Sequence, residues 1–212
     1  MQAIFFDLDG TLTDPYEGVA RSLAFAFDAL GLPPLGEDDV RAMIGPPLQV
    51  ALRERFADAA LVDATVQRFR ERYGTIGMFE NVVYDGVPEM LAALRGRARL
   101  FVCTSKPQVY AQAILERFGI AGTFSAVYGS GLDGTRIDKR ELLAHALASE
   151  GLVGADDLAL IGDRHLDIAA ARANGIRAWG AAWGYGGVAE LHGAGADHLF
   201  HAPAEVASLI AR

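Results

Sequence analysis

The sequence IFFDLDGTLTD, from Ile4 to Asp14, combines an apolar run with two closely spaced acids. Its apolar start is typical of a buried strand, and two acids, Asp7 and Asp9, follow directly at the end of that strand. Side chains two positions apart on a strand point the same way. Two neighbouring carboxylates repel each other unless they share a cation or a proton. The stretch alone also allows a simple turn, made by Asp9-Gly10 and capped by Asp7.

Four further apolar runs in the chain alternate with helical patterns. These strand-like runs cover Ala98–Thr104, Phe124–Gly129, Leu158–Asp163 and Ile176–Trp183. Strands that are buried on both faces of a parallel sheet read as continuous apolar runs. Alternating strands and helices indicate an α/β fold. The sequence therefore predicts a Rossmann-like core built on a parallel sheet.

Residues 16–84 have a different pattern, with helical periodicity and no convincing strand. Apolar residues recur at helical spacing in three places, beginning at Val19, Leu48 and Val62, and GLPPLG and GPP break the pattern. A block of helices placed directly after the first strand predicts an inserted α-helical cap domain at 16–84. The catalytic core would then be discontinuous, made of residues 1–15 and 85–212. The alternative is that these helices merely cover the sheet.

Polar side chains gather where the predicted strands end, which is where open parallel sheets bind ligands. Lys139 opens the helix that follows the run Phe124–Gly129. The other members of this set are Asp7, Asp9, Thr104, Ser105, Lys106, Asp163 and Asp167. Lys106 and Lys139 are the only two lysines in the chain. If these residues only capped helices and turns, Ser, Asn and Gly would be expected at these positions instead.

This set of side chains suits phosphoryl transfer. Several carboxylates around an open centre favour Mg²⁺, which binds one or two carboxylates together with a substrate phosphate. A lysine beside a carboxylate keeps that carboxylate ionised and nucleophilic. Thr104, at a strand end before a helix N-terminus, is suited to cradle a phosphate.

Four motifs of the chain resemble those of the haloacid dehalogenase superfamily, in the usual order. They are FDLDGTLTD, TSKP, Lys139 and IGDRHLDI, and together they span nearly the whole chain. Within the superfamily the chain resembles the phosphoglycolate phosphatase-like group, in which a helical cap follows the first motif.

The resemblance implies a role for each matching residue. Asp7 is the nucleophile that forms an aspartyl-phosphate, and Asp9 is the general acid and base. The phosphoryl group is held by Gly10, Thr104, Ser105 and Lys139. Mg²⁺ is bound by Asp7, Asp163 and the backbone carbonyl of Asp9, with Asp167 supporting the metal site.

Substrate choice is expected to lie in the cap. The segment RAMIGPPL, Arg41–Leu48, resembles the part of the cap that faces the active site in the phosphatase group. Gly45 lies in this segment, and Arg41 and Arg53 are candidates to bind a second anionic group of the substrate. The alternative is that both arginines are solvated.

The residues also separate related activities. Dehalogenases lack the second acid, and the related ion-pumping ATPases have Thr in place of Asp9. Phosphonatases use a cap lysine, but residues 16–84 contain none. We therefore predict a Mg²⁺-dependent phosphatase acting on a small phosphomonoester, either phosphoglycolate-like or, given the GDRHLDI form, nucleoside monophosphate-like. A sugar-phosphate mutase is the first alternative, and a non-catalytic phosphometabolite-binding protein is the second.

Composition limits the partners and the location. The net charge of −8 and the pI of about 5.1 disfavour nucleic acid polymers and anionic membranes. The single cysteine, Cys103, is expected to be a buried strand residue without a catalytic role. No signal peptide or apolar run of ~20 residues is present, so a cytoplasmic location is expected. A monomer or a homodimer is expected as well.

Overall fold

The computed structural model describes residues 1–210, so residues 211–212 at the end of the predicted core range lie outside it. In chain order, the strands are Ala3–Phe6 (β1), Thr13–Asp14 (β2), Val82–Val83 (β3), Arg99–Pro107 (β4), Ala126–Ser130 (β5), Leu158–Gly162 (β6), Arg177–Ala181 (β7) and His198–Phe200 (β8). Six of them form one sheet in the order β5-β4-β1-β6-β7-β8, and every neighbouring pair in it is parallel. The predicted parallel α/β core is confirmed.

Ten α-helices connect and cover these strands within the described residues. They are Tyr16–Ala29 (α1), Glu37–Ala42 (α2), Leu48–Arg55 (α3), Ala59–Tyr73 (α4), Val87–Leu94 (α5), Gln108–Arg117 (α6), Lys139–Ser149 (α7), His165–Ala173 (α8), Gly187–Gly193 (α9) and Pro203–Ile210 (α10). None of these helices is both long enough and apolar enough to span a membrane.

Strand β1 lies in the middle of the sheet and contributes to both of its faces. Because side chains alternate along a strand, Ile4 and Phe6 enter one apolar layer, which includes residues of α5 and α6. Ala3 and Phe5 enter the opposite layer, which includes residues of α7 and α8. All four are fully buried. This double burial explains why the sequence of β1 is continuously apolar.

Helices α1 to α4 enclose an apolar cluster of their own. It includes Val19, Leu23 and Phe27 on α1, which face Val62 and Val66 on α4. The predicted helical stripes of this region are therefore buried against each other. We propose on this basis that residues 16–84 form a cap domain and that residues 1–15 and 85–212 form the core.

A short antiparallel ribbon joins the helical block to the rest of the chain. Thr13 of β2 pairs with Val83 of β3, and Asp14 pairs with Val82. The expectation of no strand in residues 16–84 was therefore wrong for β3, whose two residues are too few to form a recognisable pattern. β2 and β3 are the segments that enter and leave the helical block. Because they pair with each other, the chain enters and leaves this block at the same place.

Candidate active site

The carboxyl ends of three adjacent strands bring the predicted site residues together. Asp7 directly follows β1, and its backbone N–H donates to Ile161 O of β6 at 2.8 Å. Asp163 directly follows β6, and Thr104 lies near the end of β4. The pairing of β4 with β5 shifts between Thr104 and Pro107, and irregularities of this kind re-aim side chains beside active sites.

Lys139 links two of the buried acids. Its Nζ lies 2.9 Å from Asp7 Oδ1 and also pairs with Asp167 Oδ1. Burial by itself would lower the pKa of Lys139, but the carboxylates of Asp167 and Asp7 outweigh it and raise that pKa. Asp7 Oδ1 also accepts the backbone N–H of Leu8 at 2.8 Å. Lys139 is therefore a fixed positive charge beside the predicted nucleophile.

Asp163 is held by hydrogen bonds at both of its oxygens. Thr11 Oγ1 donates to Oδ1 at 3.1 Å, and the backbone N–H of Tyr185 donates to Oδ2 at 2.9 Å. Burial raises the pKa of Asp163 well above its usual range, and the nearby charges of Asp167 and Asp7 add to that rise. Gly10 has a φ of +83°, and a Cβ there would lie 2.1 Å from Asp163 Oδ2. Only glycine fits that position.

The acids of this site fit a divalent metal ion. Asp7, Asp163 and Asp167 are all buried, and each offers a carboxylate oxygen within 4.8 Å of the others. Three carboxylates around Lys139 leave an excess of negative charge that a hard cation would neutralise. Asp167 Oδ2 accepts the N–H of Arg164 at 3.0 Å, and Oδ1 forms an ion pair with Lys139. The supporting role of Asp167 stays a prediction.

Asp9 points its carboxylate at the other lysine of the chain. Lys106 Nζ lies 2.6 Å from Asp9 Oδ2 and also donates to the hydroxyl of Tyr73 on α4. Burial raises the pKa of Asp9, and Lys106 opposes that rise. Burial also raises the pKa of Tyr73 to about 12, so its hydroxyl stays protonated near neutral pH. The predicted assignment of the backbone carbonyl of Asp9 to the metal does not use this carboxylate.

The role of Lys106 was missed in the sequence, although one signal was available. Lys106 was recognised as a member of the strand-end set, but no function was assigned to it. Its rarity was the signal, because the other basic residues of the chain, apart from Lys139, are arginines. Contact with Tyr73 could not be predicted, since the two residues belong to different segments of the chain.

The hydroxyls of Thr104 and Ser105 lie beside these charges. Thr104 Oγ1 accepts the backbone N–H of Lys106 at 3.3 Å. Ser105 Oγ is buried and has no hydrogen-bond partner within residues 1–210. A buried hydroxyl without a partner is costly, so a bound anion that accepts its hydrogen would stabilise it. This observation fits the predicted phosphate site.

A cavity with about 100 Å³ of space for water-sized groups separates α3 and α4 from the strand ends. Asp7, Asp9, Thr104, Ser105 and Lys106 line it from the side of the sheet. The opposite wall is mostly apolar or aromatic, with Met43, Ile44, Pro46, Leu48, Val66, Phe69 and Tyr73. The cavity therefore combines a charged end with an apolar wall.

The three predicted substrate residues of the cap occupy different places. Gly45 lines the cavity, with a φ of +104°. Arg41 does not line it, because its guanidinium lies 2.8 Å from Glu37 and packs over the ring of Tyr16. Arg53 is exposed on α3 and does not line the cavity either.

Arg70 of α4 is the arginine that does line the cavity. Sequence reasoning missed it, although its spacing carried a signal. Arg70 follows Val66 by four residues and precedes Tyr73 by three, which places it near the buried stripe of its helix. A charged residue beside such a stripe is a candidate ligand contact.

We expect Lys139→Arg to be nearly as damaging as Lys139→Ala, although the charge is kept. The Lys139 side chain is 4% exposed, and its ammonium lies between Asp7 and Asp167, where a broad guanidinium has no room. Loss of one such electrostatic contact lowers kcat about 10²–10³-fold. Steady-state kinetics checks this, with Arg140→Lys on the exposed side of α7 as the matched control. Wild-type kinetics in Lys139→Arg would contradict the argument.

Known proteins share this sequence and this fold. The family model described as haloacid dehalogenase-like hydrolase matches residues 4–181. The chain is 44% identical to the 5'-nucleotidase of Pseudomonas aeruginosa, over 97% of this chain and 92% of that protein. It is 34% identical to the phosphoglycolate phosphatase of Caulobacter vibrioides, over 86% of this chain and 79% of that protein.

Two further known proteins are similar to this chain. The tyrosine-protein kinase PtkA of Mycobacterium tuberculosis is 38% identical over 87% of this chain, which spans 63% of that protein, less than two thirds of its length. The crystal structure of a predicted phosphatase from Clostridium acetobutylicum superposes with a TM-score of 0.94 at 33% identity, covering 99% of this chain and 98% of that one. The chain therefore belongs to the haloacid dehalogenase-like hydrolase family, as its four motifs predicted, and its relatives there include phosphoric monoester hydrolases.

Proposed function

We propose that this protein is a Mg²⁺-dependent phosphatase that hydrolyses nucleoside monophosphates through a phosphoryl group carried on Asp7. The observation that carries the proposal is the cavity itself. Its charged end holds Asp7, Asp9 and Lys106, and its opposite wall is large and apolar. Such a site accepts a phosphate at one end and a flat, weakly polar group at the other.

The reaction takes place in two steps. In the first, a carboxylate oxygen of Asp7 forms a bond to phosphorus while the bond from phosphorus to the alcohol oxygen breaks, and Asp9 gives its proton to that oxygen. In the second, Asp9 takes a proton from a water molecule whose oxygen bonds to phosphorus, and the bond between phosphorus and Asp7 breaks. Asp9 thus ends each cycle in its starting state, as a general acid and base must.

The surrounding residues stabilise the charge that develops on the phosphoryl oxygens. Lys139 supplies a positive charge beside Asp7, and the hydroxyls of Thr104 and Ser105 donate hydrogen bonds. A Mg²⁺ ion held by Asp7, Asp163 and the backbone carbonyl of Asp9 would neutralise phosphate charge at the same place. Groups that are fixed in advance in a buried site stabilise a transition state more than water does.

The apolar wall of the cavity favours a nucleoside over glycolate as the leaving group. Glycolate offers only one methylene group to that wall, which is formed by side chains such as Phe69 and Val66. A nucleobase could pack against Phe69, and Arg70 offers hydrogen-bond donors at the same wall. The higher identity to the 5'-nucleotidase, 44% against 34% to the phosphatase of Caulobacter vibrioides, supports the same choice.

A phosphate-release assay tests the proposal directly. The panel contains nucleoside monophosphates, phosphoglycolate and sugar phosphates, each with and without Mg²⁺. We expect release from nucleoside monophosphates, with the highest kcat/KM of the panel. Isomerised sugar phosphate without release would support a mutase instead. Binding of a phosphate compound without turnover would support a non-catalytic sensor.

Removal of divalent metal should abolish activity. We expect a chelator to reduce phosphate release to background, Mg²⁺ to restore it and Ca²⁺ not to restore it. The reason is that Ca²⁺ accepts more ligands and a looser geometry, which disturbs in-line attack on phosphorus. The check is phosphate release from the dialysed protein with each metal added back. Full activity of the chelated protein would exclude this metal site.

The remaining expectations concern partners and location. A net charge of −8 disfavours a nucleic acid polymer as partner, because its phosphates would be repelled. A cytoplasmic location and a monomeric or homodimeric state stay predictions. Fractionation of cells and light scattering of the purified protein would check them.

A further inference from the structure

Lys106 is a buried charge that the reaction as described above does not use. Its side chain is 6% exposed, and it contacts one group from each side of the cavity. On the side of the sheet it pairs with Asp9, and on the side of α4 it donates to the hydroxyl of Tyr73. A buried lysine is retained only where its partners compensate for lost hydration.

The contact with Lys106 distinguishes the two oxygens of Asp9. Oδ2 lies 2.6 Å from Lys106 Nζ. Oδ1 is buried and has no hydrogen-bond partner within residues 1–210. With Oδ2 held by the ammonium, the carboxylate of Asp9 cannot rotate freely.

Tyr73 belongs to the helical block, so its contact with Lys106 crosses the cavity. Its ring stacks on Phe69 at a centroid distance of 4.9 Å and meets the edge of Tyr110 at 5.6 Å. The ammonium of Lys106 lies 4.7 Å from the centre of the Tyr73 ring. These aromatic contacts fix the hydroxyl of Tyr73, and that hydroxyl in turn fixes Lys106.

We infer that Lys106 is a positioning residue that fixes the carboxylate of Asp9 through Oδ2 for proton exchange with the substrate, and that the hydroxyl of Tyr73 holds Lys106 in this position. The inference rests on the proposed function, since it assigns a task within that reaction. The proton still passes from Asp9 to the leaving oxygen, and Lys106 exchanges no proton.

The positioning role predicts a loss that depends on the leaving group. An alkyl phosphate, such as a nucleoside monophosphate, needs a proton from Asp9 when its alcohol departs. An aryl phosphate, such as p-nitrophenyl phosphate, departs without one, because its alcohol is acidic. The quantity to measure is the rate of the first half-reaction by rapid quench, for both substrates and across pH 5 to 8.

Tyr73→Phe is the primary variant, because it keeps the ring contacts and changes no charge. We expect the first step to slow about 10-fold for the alkyl phosphate and to change less than about twofold for the aryl phosphate, since general acid help is worth ~10²–10⁴-fold in full. Tyr128→Phe is the matched control: the hydroxyl of Tyr128 donates to Glu150 outside the cavity, and its loss should change neither rate.

Lys106→Met is the second variant, and its folding is checked by circular dichroism. The alkyl rate should fall about 10²-fold, again with little change for the aryl phosphate. Adding Tyr73→Phe to Lys106→Met should cost nothing more, because the hydroxyl acts only through the lysine. If Lys106→Met does not fold, the Tyr73→Phe result decides alone.

Three outcomes would overturn the inference. Equal losses for both substrates would show that these residues only maintain structure or bind the phosphoryl group. A loss that disappears at another pH would show that Lys106 sets the charge of Asp9 and does not position it. Unchanged rates in both variants would show that the contact is irrelevant. If the wild-type protein released no phosphate from either substrate, the proposed function itself would fail, which is a separate result.

Discussion

We expect Asp7→Asn to lower kcat about 10⁴-fold or more while the protein stays folded. The amide oxygen can still accept the N–H of Leu8 and the ammonium of Lys139, which now contact Asp7 Oδ1. A neutral amide is, however, a poor nucleophile and a weak ligand for a metal ion. Phosphate release and the thermal midpoint, measured on the same preparation, separate loss of chemistry from loss of fold.

The control for this variant is Asp156→Asn. Asp156 is exposed in the loop before β6, so the same chemical change there should leave kcat and the thermal midpoint as in the wild type. Retention of more than a trace of activity in Asp7→Asn would mean that the nucleophile is another residue. A large fall in the thermal midpoint would mean that Asp7 is needed for the fold.

For Asp9→Asn we expect a burst of product followed by a stall. General acid or base help is worth ~10²–10⁴-fold, and Asp9 supplies it in both steps. An aryl phosphate departs without a proton, so its first step should survive. The water of the second step still needs a base, so phosphate should remain bound to Asp7. About one aryl alcohol per active site should therefore appear before turnover stops.

Rapid quench measures this burst, and the intact mass of the protein detects the trapped phosphoryl group. An alkyl phosphate should give no burst, because its alcohol cannot leave without the proton. The double variant Asp7→Asn with Asp9→Asn is the control and should show neither a burst nor added mass. Slow turnover of both substrates by Asp9→Asn, with no phosphorylated protein, would mean that Asp9 is not the acid and base.

The strands of the core were predictable because their burial leaves a strong pattern. The run Leu158–Asp163 has no polar side chain before its final aspartate, and β6 indeed occupies Leu158–Gly162 with both faces covered. Cys103 is fully buried in β4, as predicted, and burial raises the pKa of its thiol to about 12. Strand β8 was missed because three residues, His198–Phe200, are too few to show a period.

The acids of the site were predictable for a topological reason. Because β1, β4 and β6 are adjacent and parallel, residues at or near their carboxyl ends meet at one edge of the sheet, and Asp7, Thr104 and Asp163 do so. Contacts that cross the cavity follow no such rule. The pairing of Lys106 with Tyr73 depends on how α4 packs over the sheet. No local sequence pattern encodes the position of α4 relative to β4.

The central position of β1 has a consequence for how a newly made chain acquires its structure. Strand β1 pairs Ala3 with Arg99 and with Leu158, so its hydrogen bonds wait for residues that are synthesised much later than β1. The contacts within α1–α4 are closer in sequence, and local contacts form faster than distant ones. The helical block can therefore form while β1 is still exposed, and the catalytic acids assemble only once β6 has been synthesised. Until then the segment Ala3–Phe6 is an exposed apolar strand, which is a site where nascent chains aggregate or bind chaperones.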